Sequence, residues 1–183
     1  MLAGSEAVRQ VLDVMSKVLT VARYILESQG SLTTLKLQKL VYYAQVWAIA
    51  EGGEPLFSEA IKAWAQGPVV PELFHHHKGM SRITAAELGS PSGELTESER
   101  AHIDRMLASY GSLPAEYLSK LTHHERPWKD ARASGQESPP ISLSAIREFY
   151  AGKSSEDLEA DYQLTVARAL MDRHAESLAR LAL

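Results

Sequence analysis

The stretch from Thr33 to Ala50 constrains the fold more than any other part of the sequence. Its spacing predicts a helix whose two opposite sides are both apolar. One side carries Leu37, Leu40, Val41, Ala44, Trp47 and Ala48, and the other carries Leu35, Tyr42, Tyr43, Val46, Ile49 and Ala50. A helix that is apolar all round is a buried helix. The rest of the chain is therefore expected to pack around this segment.

Four polar residues interrupt this helix, namely Lys36, Gln38, Lys39 and Gln45. The lysines weigh against a membrane span, because a charge in the middle of a bilayer is costly. Buried polar groups need hydrogen-bond partners. One interpretation is that all four hold neighbouring loops through backbone carbonyls and helix ends, and we expect this for the glutamines. For the lysines a second interpretation stays equally open, in which they reach an acidic group of a partner.

Composition narrows the class of protein. A chain of 183 residues makes one domain, or one domain with an appendage. The sequence has no cysteine, which excludes disulfides, thiol nucleophiles and cysteine metal sites. A formal charge of −4 weighs against a strongly electrostatic nucleic-acid binder. The N-terminus lacks the basic and apolar runs of a signal peptide, so we expect a soluble protein of a bacterial-type cytoplasm.

The remaining pattern is mostly helical. It predicts a helix over Ser5–Gln29, short strands at Ala60–Ala65 and Ser81–Thr84, and a turn at Gln66-Gly67-Pro68. Further helices are expected to begin at Pro71, at the capping box Thr96–Glu99, near Pro114, at Ile141 and at Ser154. A short helical turn is expected after Trp128, through Arg132, and a loose loop over Ala85–Leu95. The expected fold is mainly α, a compact multi-helix domain around a central buried helix. A small β-hairpin or pair of short strands and a long C-terminal helix complete it.

The histidines are the main candidates for metal chemistry. His75-His76-His77 and His123-His124 are runs, and adjacent histidines on a helix point about 100° apart, so neither run converges on one ion. Only distant residues could complete a site, from the set His77, His123, Glu125 and His174. No Gly-x-Ser-x-Gly elbow, phosphate loop or dinucleotide fingerprint is present. We therefore expect no metal, no cofactor and no enzymatic activity, with a metal-dependent hydrolase as the least favoured function.

Two further features have two interpretations each. Trp64 precedes Gln66-Gly67-Pro68-Val69 and either packs in the core or anchors an interface. The C-terminal helix carries one apolar stripe that includes Tyr162 and Val166. That helix either packs on the body of the protein or binds a partner or a second copy.

Five blocks in order resemble the Panacea domain family, the SocA-like antitoxin group that includes GepA-type phage-associated proteins. The blocks are KLQKLVYYAQVWAIA, PLF, IKAWAQGPVVPELF, LSKLTHHERPWKDAR and ISLSAIREFY. The family pattern falls on Lys36–Leu40, Tyr42 and Tyr43, on Gly67, Pro68 and Val69, on Leu118, Leu121, Thr122 and His123, and on Pro127 and Trp128. The resemblance divides the chain into an N-terminal helical extension (1–15), a Panacea-like domain (16–152) and a C-terminal helical extension (153–183).

The resemblance implies an antitoxin that neutralises a cognate toxin by direct contact. It also implies a proteolytic adaptor that delivers the toxin to the ClpXP protease. The alternative is a DNA-binding autoregulator of its own operon, although no basic recognition helix is visible and nucleic acid is an unlikely partner. The candidate partner-contacting residues are Lys36, Lys39, Tyr43, Trp64, Gln66, Gly67, Pro68, Val69, Tyr162 and Val166.

Overall fold

The computed structural model describes residues 16–51, 53–153, 157, 160, 163, 164 and 171. This part of the chain forms eight helices and five short strands. The helices are α1 (Lys17–Gln29), α2 (Thr34–Ala50), α3 (Pro71–His77), α4 (Ala85–Leu88), α5 (Glu97–Tyr110), α6 (Ala115–His124), α7 (Arg126–Ala133) and α8 (Leu143–Tyr150). The strands are β1 (Leu32–Thr33), β2 (Ile61–Trp64), β3 (Gly67–Val69), β4 (Arg82–Ile83) and β5 (Pro140–Ile141).

Helix α2 lies at the centre of the molecule, as predicted. The Thr33 side chain caps its N-terminus by accepting a hydrogen bond from the Lys36 backbone N–H at 3.2 Å. Every residue from Leu37 to Ile49 is buried. Helices α1, α5, α6 and α8 and strand β3 all pack against it. The predicted mainly α fold around a central buried helix is thus confirmed.

The strands form two small antiparallel sheets. Strand β1 pairs with β4, and the second sheet has the order β3-β2-β5. In the β2–β3 hairpin Lys62 lies opposite Val69, and Trp64 lies opposite Gly67. Both strands expected from the sequence are therefore present. The turn predicted at Gln66-Gly67-Pro68 is displaced, because Gly67 and Pro68 pair with β2 and the turn is made by Ala65 and Gln66.

Two capping boxes start helices beyond the core. The predicted box at Thr96 is confirmed, since its hydroxyl accepts from the Glu99 N–H while the Glu99 carboxylate accepts from the Thr96 N–H. A second box, Thr84 with Glu87, starts α4 inside the segment expected to be a loose loop. The expectation was wrong for Ala85–Leu88 only, because the Gly, Ser and Pro content further along the segment obscured the local cap.

Aromatic side chains join α2 to α5. Tyr43 stacks on Tyr110 with ring centroids 4.6 Å apart, and Trp47 meets the same ring edge-on at 5.9 Å. At the C-terminal end of α2, Glu51 accepts hydrogen bonds from His102 and Arg105 of α5. Helices α2 and α5, the two longest described helices, are therefore joined by aromatic stacking and by an ionic contact.

Some predictions fall beyond the described residues. The helix expected over Ser5–Gln29 is described only from Lys17 onward. Of the expected C-terminal helix, residues 157, 160, 163, 164 and 171 are described and are helical. Tyr162 and Val166 lie outside the described residues. In the part of the chain that is described, no helix is long and apolar enough to cross a membrane.

Leu40 tests the central position of α2. Its side chain is fully buried, so Leu40→Ala should lower the free energy of unfolding by about 2–5 kcal/mol through lost burial and a cavity. Leu35→Ala is the matched control, since Leu35 is half-buried on the same helix. Urea unfolding followed by circular dichroism measures both values. Equal losses for the two variants would contradict the central role of this helix.

Candidate functional site

A groove on the described surface lies where three segments meet. Its volume is about 490 Å³, within the usual range of binding pockets. The N-terminal turn of α2, the β2–β3 hairpin and α3 form its walls. The lining residues are Thr34, Leu35, Gln38, Trp64, Ala65, Gln66, Val69, Phe74 and His77. We call this feature the hairpin groove.

Two aromatic rings form one wall of the hairpin groove. Trp64 and Phe74 contact edge to face, with ring centroids 4.9 Å apart. The Trp64 ring points outward because side chains alternate along β2, where Ile61 and Ala63 face the core. Its indole N–H donates to the Ser138 hydroxyl at 2.8 Å. Trp64 is half-exposed and lines a groove. Its position therefore favours the interpretation as an interface anchor over packing in the core.

The floor of the groove is polar but uncharged. The Gln38 side-chain carbonyl accepts the Val70 N–H at 2.9 Å, and its NH₂ group donates to the Val70 carbonyl at 3.3 Å. The same NH₂ group lies 2.9 Å from Nε2 of His77, which must therefore be an unprotonated acceptor. Burial lowers the pKa of His77, while a hydrogen bond to its own backbone opposes this. The His77 ring is accordingly neutral at pH 7.

Side chains satisfy the outer edge of strand β3. Gly67, Pro68 and Val69 all lie opposite residues of β2, and in an antiparallel pair alternate residues turn their backbone groups away from the partner strand. The Ser119 hydroxyl donates to the Gln66 carbonyl at 2.7 Å, and Lys39 Nζ donates to the Pro68 carbonyl at 2.8 Å. With the Gln38 contacts at Val70, three side chains take the place of a further strand.

Lys39 lies directly beneath this strand and is fully buried. Burial lowers the pKa of its amine to about 7. A Cβ on Gly67 would lie 2.7 Å from both Lys39 Cε and Thr122 Oγ1, and Gly67 has a φ of +105°. Position 67 therefore requires glycine. The prediction that Lys39 reaches a partner does not fit its burial, because its amine ends on the Pro68 carbonyl.

A second layer supports the hairpin from behind. The indole N–H of Trp128 donates to the Trp64 carbonyl at 3.0 Å. His123 stacks on Trp128 with ring centroids 4.1 Å apart. Burial lowers the pKa of His123, and the charges of Lys39 and His124 lower it further. His123 is half-buried, and its ring serves as a support for Trp128.

Tyr43 belongs to a buried cluster around Glu125. Its hydroxyl donates to Glu125 at 2.7 Å, and the Tyr42 hydroxyl lies 3.4 Å from the same carboxylate. Burial raises the pKa of Glu125 to about 7, although hydrogen bonds from the tyrosines oppose the shift. Tyr43 is only 1% exposed. The prediction that Tyr43 contacts a partner therefore does not fit the structure either.

The other two polar residues of α2 also bind backbone. Gln45 accepts the N–H groups of Leu56 and Phe57 and donates to the Phe57 carbonyl. Lys36 donates to the Gly111 carbonyl at 2.7 Å and remains half-exposed. The interpretation that these residues hold neighbouring loops through backbone groups is thus confirmed for the glutamines. The two lysines also bind backbone carbonyls. The sequence could not name any of these backbone partners.

Five candidate residues of the hairpin occupy different places. Trp64, Gln66 and Val69 line the groove, with Gln66 exposed at its lip. Gly67 and Pro68 are buried and shape the strand without lining the groove. Leu35 and Phe74 also line the groove and were not among the residues predicted to contact a partner. Phe74 belongs to the PELF stretch that the resemblance includes, which was the available signal for it.

The histidines do not converge in the described part of the chain. His75 is exposed, His77 binds Gln38, and His123 stacks on Trp128. Glu125 accepts from tyrosines, and His174 lies outside the described residues. Among the described residues no three His, Asp or Glu side chains come together as metal ligands.

A protein-family comparison decides the assignment. The model described as "Antitoxin SocA-like, Panacea domain" matches residues 37–129, about half of the chain. The chain belongs to this family. Comparison with curated proteins and with solved structures gives no significant match. Membership in an antitoxin family favours a binding role over an enzymatic one.

The matched residues of the Panacea domain contain the hairpin groove almost entirely. They begin at Leu37 and end at Lys129, and thus include the hairpin, α3 and the supporting layer of His123 and Trp128. Only Thr34 and Leu35 among the lining residues precede the match. The groove is therefore a feature of the Panacea domain itself.

Lys39→Met tests the buried amine beneath the hairpin. In the folded state the pKa of the Lys39 amine is about 7, below its ordinary value of 10.5. Below about pH 7 the amine is charged in both states, and its burial then lowers the free energy of unfolding by the largest amount. As the pH rises from about 7 towards 10.5, the unfolded state binds more protons than the folded state. The free energy of unfolding that was lost to the buried charge is therefore regained over this range. The wild-type protein should therefore gain stability over Lys39→Met between about pH 7 and pH 9.5, by up to about 1.4 kcal/mol per pH unit.

Urea unfolding of both proteins at several pH values measures this difference. Any loss of the hydrogen bond to Pro68 shifts the whole Lys39→Met curve and leaves the pH-dependent difference intact. Parallel curves for the two proteins would contradict a buried amine with a lowered pKa.

Proposed function

We propose that this protein is an antitoxin that neutralises a cognate toxin by direct protein–protein contact. The hairpin groove is the surface that makes this contact. The single observation that carries the proposal is a preformed apolar groove within the matched Panacea domain, walled by Trp64 and Phe74. Aromatic side chains beside a concave surface are the usual anchors of protein interfaces.

The proposed mechanism is stoichiometric. One antitoxin molecule covers the surface that the toxin uses to bind its own target. Because Gln38, Lys39 and Ser119 hold the hairpin in place, the groove needs little reorganisation before it binds. A preorganised surface loses less conformational entropy on association.

The second part of the proposal is a role as adaptor for the cytoplasmic ClpXP protease. Family membership supports this role. An adaptor acts by raising the local concentration of its substrate at the protease. Toxin and protease then need separate surfaces on the antitoxin. With the hairpin groove occupied by the toxin, the C-terminal extension (153–183) is the segment that we assign to the protease.

Trp64→Ala tests the function in cells and in solution. The toxin is the protein encoded by the adjacent reading frame, co-expressed with the antitoxin. Loss of the Trp64 ring should weaken the complex by about 30-fold or more, as at other aromatic hot spots, and should abolish rescue of growth. Ser138→Ala is the matched control, because it removes the indole hydrogen bond and leaves the ring in place.

Growth assays and isothermal titration calorimetry give the two readouts. Lack of both binding and rescue by the wild-type protein would overturn the antitoxin function. Full binding by Trp64→Ala would keep the function and exclude the groove as its site.

A further inference from the structure

The edge of the hairpin limits how a partner binds beside it. Adding a strand to a sheet needs free backbone donors and acceptors along its edge. Along β3 and its two flanking residues, the outward backbone groups of Gln66, Pro68 and Val70 are already bound by Ser119, Lys39 and Gln38. The partner therefore binds this region through side chains that enter the groove rather than through its own backbone.

The interior of the groove selects the kind of side chain that enters. Leu35, Val69 and the two aromatic rings line it, and the polar floor of Gln38 and His77 is neutral and already paired. A charged side chain placed here would lose its hydration without gaining an opposite charge. A large apolar side chain has no comparable hydration energy to lose, and it gains contact with Trp64 and Phe74.

The rim of the groove carries positive charge. Lys62 lies opposite Val69 in the hairpin, and directly opposite residues project from the same face of a sheet. Lys78 follows His77 and lies one turn after Phe74, so it stands on the groove side at the end of α3. No carboxylate of the described residues forms an ion pair with either lysine.

An acidic residue is also present near this rim. Glu137 precedes Ser138, which binds the Trp64 indole. Arg132, from the supporting helix α7, donates to the backbone carbonyls of Ala63 and Glu137. Lys62 and Lys78 thus stand beside the groove without an acidic partner among the described residues, on a protein whose formal net charge is −4. Such a local excess favours a partner of opposite charge.

We infer that the hairpin groove binds an acidic segment of the partner protein, which places a large apolar side chain in the groove against the wall formed by Trp64 and Phe74. The carboxylates of that segment lie beside Lys62 and Lys78. This inference rests on the proposed antitoxin function and states the chemistry of the toxin segment that occupies the groove. The affinity comes mainly from the inserted side chain, and the lysines select against basic segments.

Short peptides test this chemistry without the toxin. The probe is a fluorescein-labelled peptide Gly-Asp-Glu-Trp-Glu-Asp-Gly, measured by fluorescence polarisation at low salt. It should bind saturably to the full chain. Replacing its tryptophan by alanine, or its acids by Lys and Arg, should each weaken binding by about tenfold or more.

Variants of the protein locate the peptide. Trp64→Ala should weaken binding of the acidic tryptophan peptide by about tenfold. The double variant Lys62→Glu with Lys78→Glu should weaken it by about fivefold, with a smaller effect at high salt. Arg147→Glu is the control, because Arg147 is an exposed cation on α8, which contributes no lining residue. Its effect should stay below about twofold.

Four outcomes would overturn the inference. They are no saturable binding of the acidic tryptophan peptide, equal binding of the basic peptide, binding of free indole as tight as that of the peptide, and a dimer in sedimentation that Trp64→Ala dissociates. The last two would assign the groove to a small aromatic molecule or to a second copy. Rescue of growth by the wild-type antitoxin is measured separately. Rescue together with any of these outcomes removes only the inference, whereas failure of both toxin binding and rescue removes the proposed function.

Discussion

Hydrogen bonds from one buried helix to the backbone of distant segments determine the shape of this molecule. Four polar side chains of helix α2, those of its lysines and glutamines, each end on main-chain groups of another segment. Lys36 binds Gly111, Gln38 binds Val70, Lys39 binds Pro68, and Gln45 binds Leu56 and Phe57. Removing any of these side chains leaves buried backbone groups unpaired, at a cost of about 1–3 kcal/mol each. The helix thus provides both the apolar core and the positions of the loops.

Buried titratable groups accompany this arrangement. Burial raises the pKa of Glu125 to about 7, above its ordinary value of 4.5. The folded state then holds more protons than the unfolded state between about pH 4.5 and pH 7, so Glu125 lowers stability progressively as the pH rises through this window. Lys39 lowers stability most below about pH 7. Around neutral pH both groups destabilise the fold to nearly their full extent. The position of the hairpin and the packing of the tyrosine cluster are therefore obtained at the expense of stability.

The fold could be predicted further than the site. An all-round apolar helix of about 18 residues has to be buried, and the capping box at Thr96 marks a helix start without reference to the rest of the chain. The displaced turn shows the limit, because Gly67 looks like a turn residue, whereas it is required by the approach of Lys39 and Thr122 from another element. Of the residues predicted from the sequence to contact a partner, Trp64, Gln66 and Val69 line the groove. Lys39 and Tyr43 were also predicted, but they are buried against residues that are distant in the sequence. The groove itself is formed by three segments that only the tertiary structure brings together.

The most direct test of this account is hydrogen exchange at the Val70 amide in a Gln38→Leu variant. This amide donates to Gln38 Oε1, and leucine keeps a similar volume without an acceptor. If α2 holds the hairpin through its polar side chains, exchange should accelerate by about tenfold or more at Val70 and along β3, with α1 and α5 remaining protected as in the wild-type protein. Unchanged protection at Val70 would show that the hairpin keeps its position without α2, and would contradict the account.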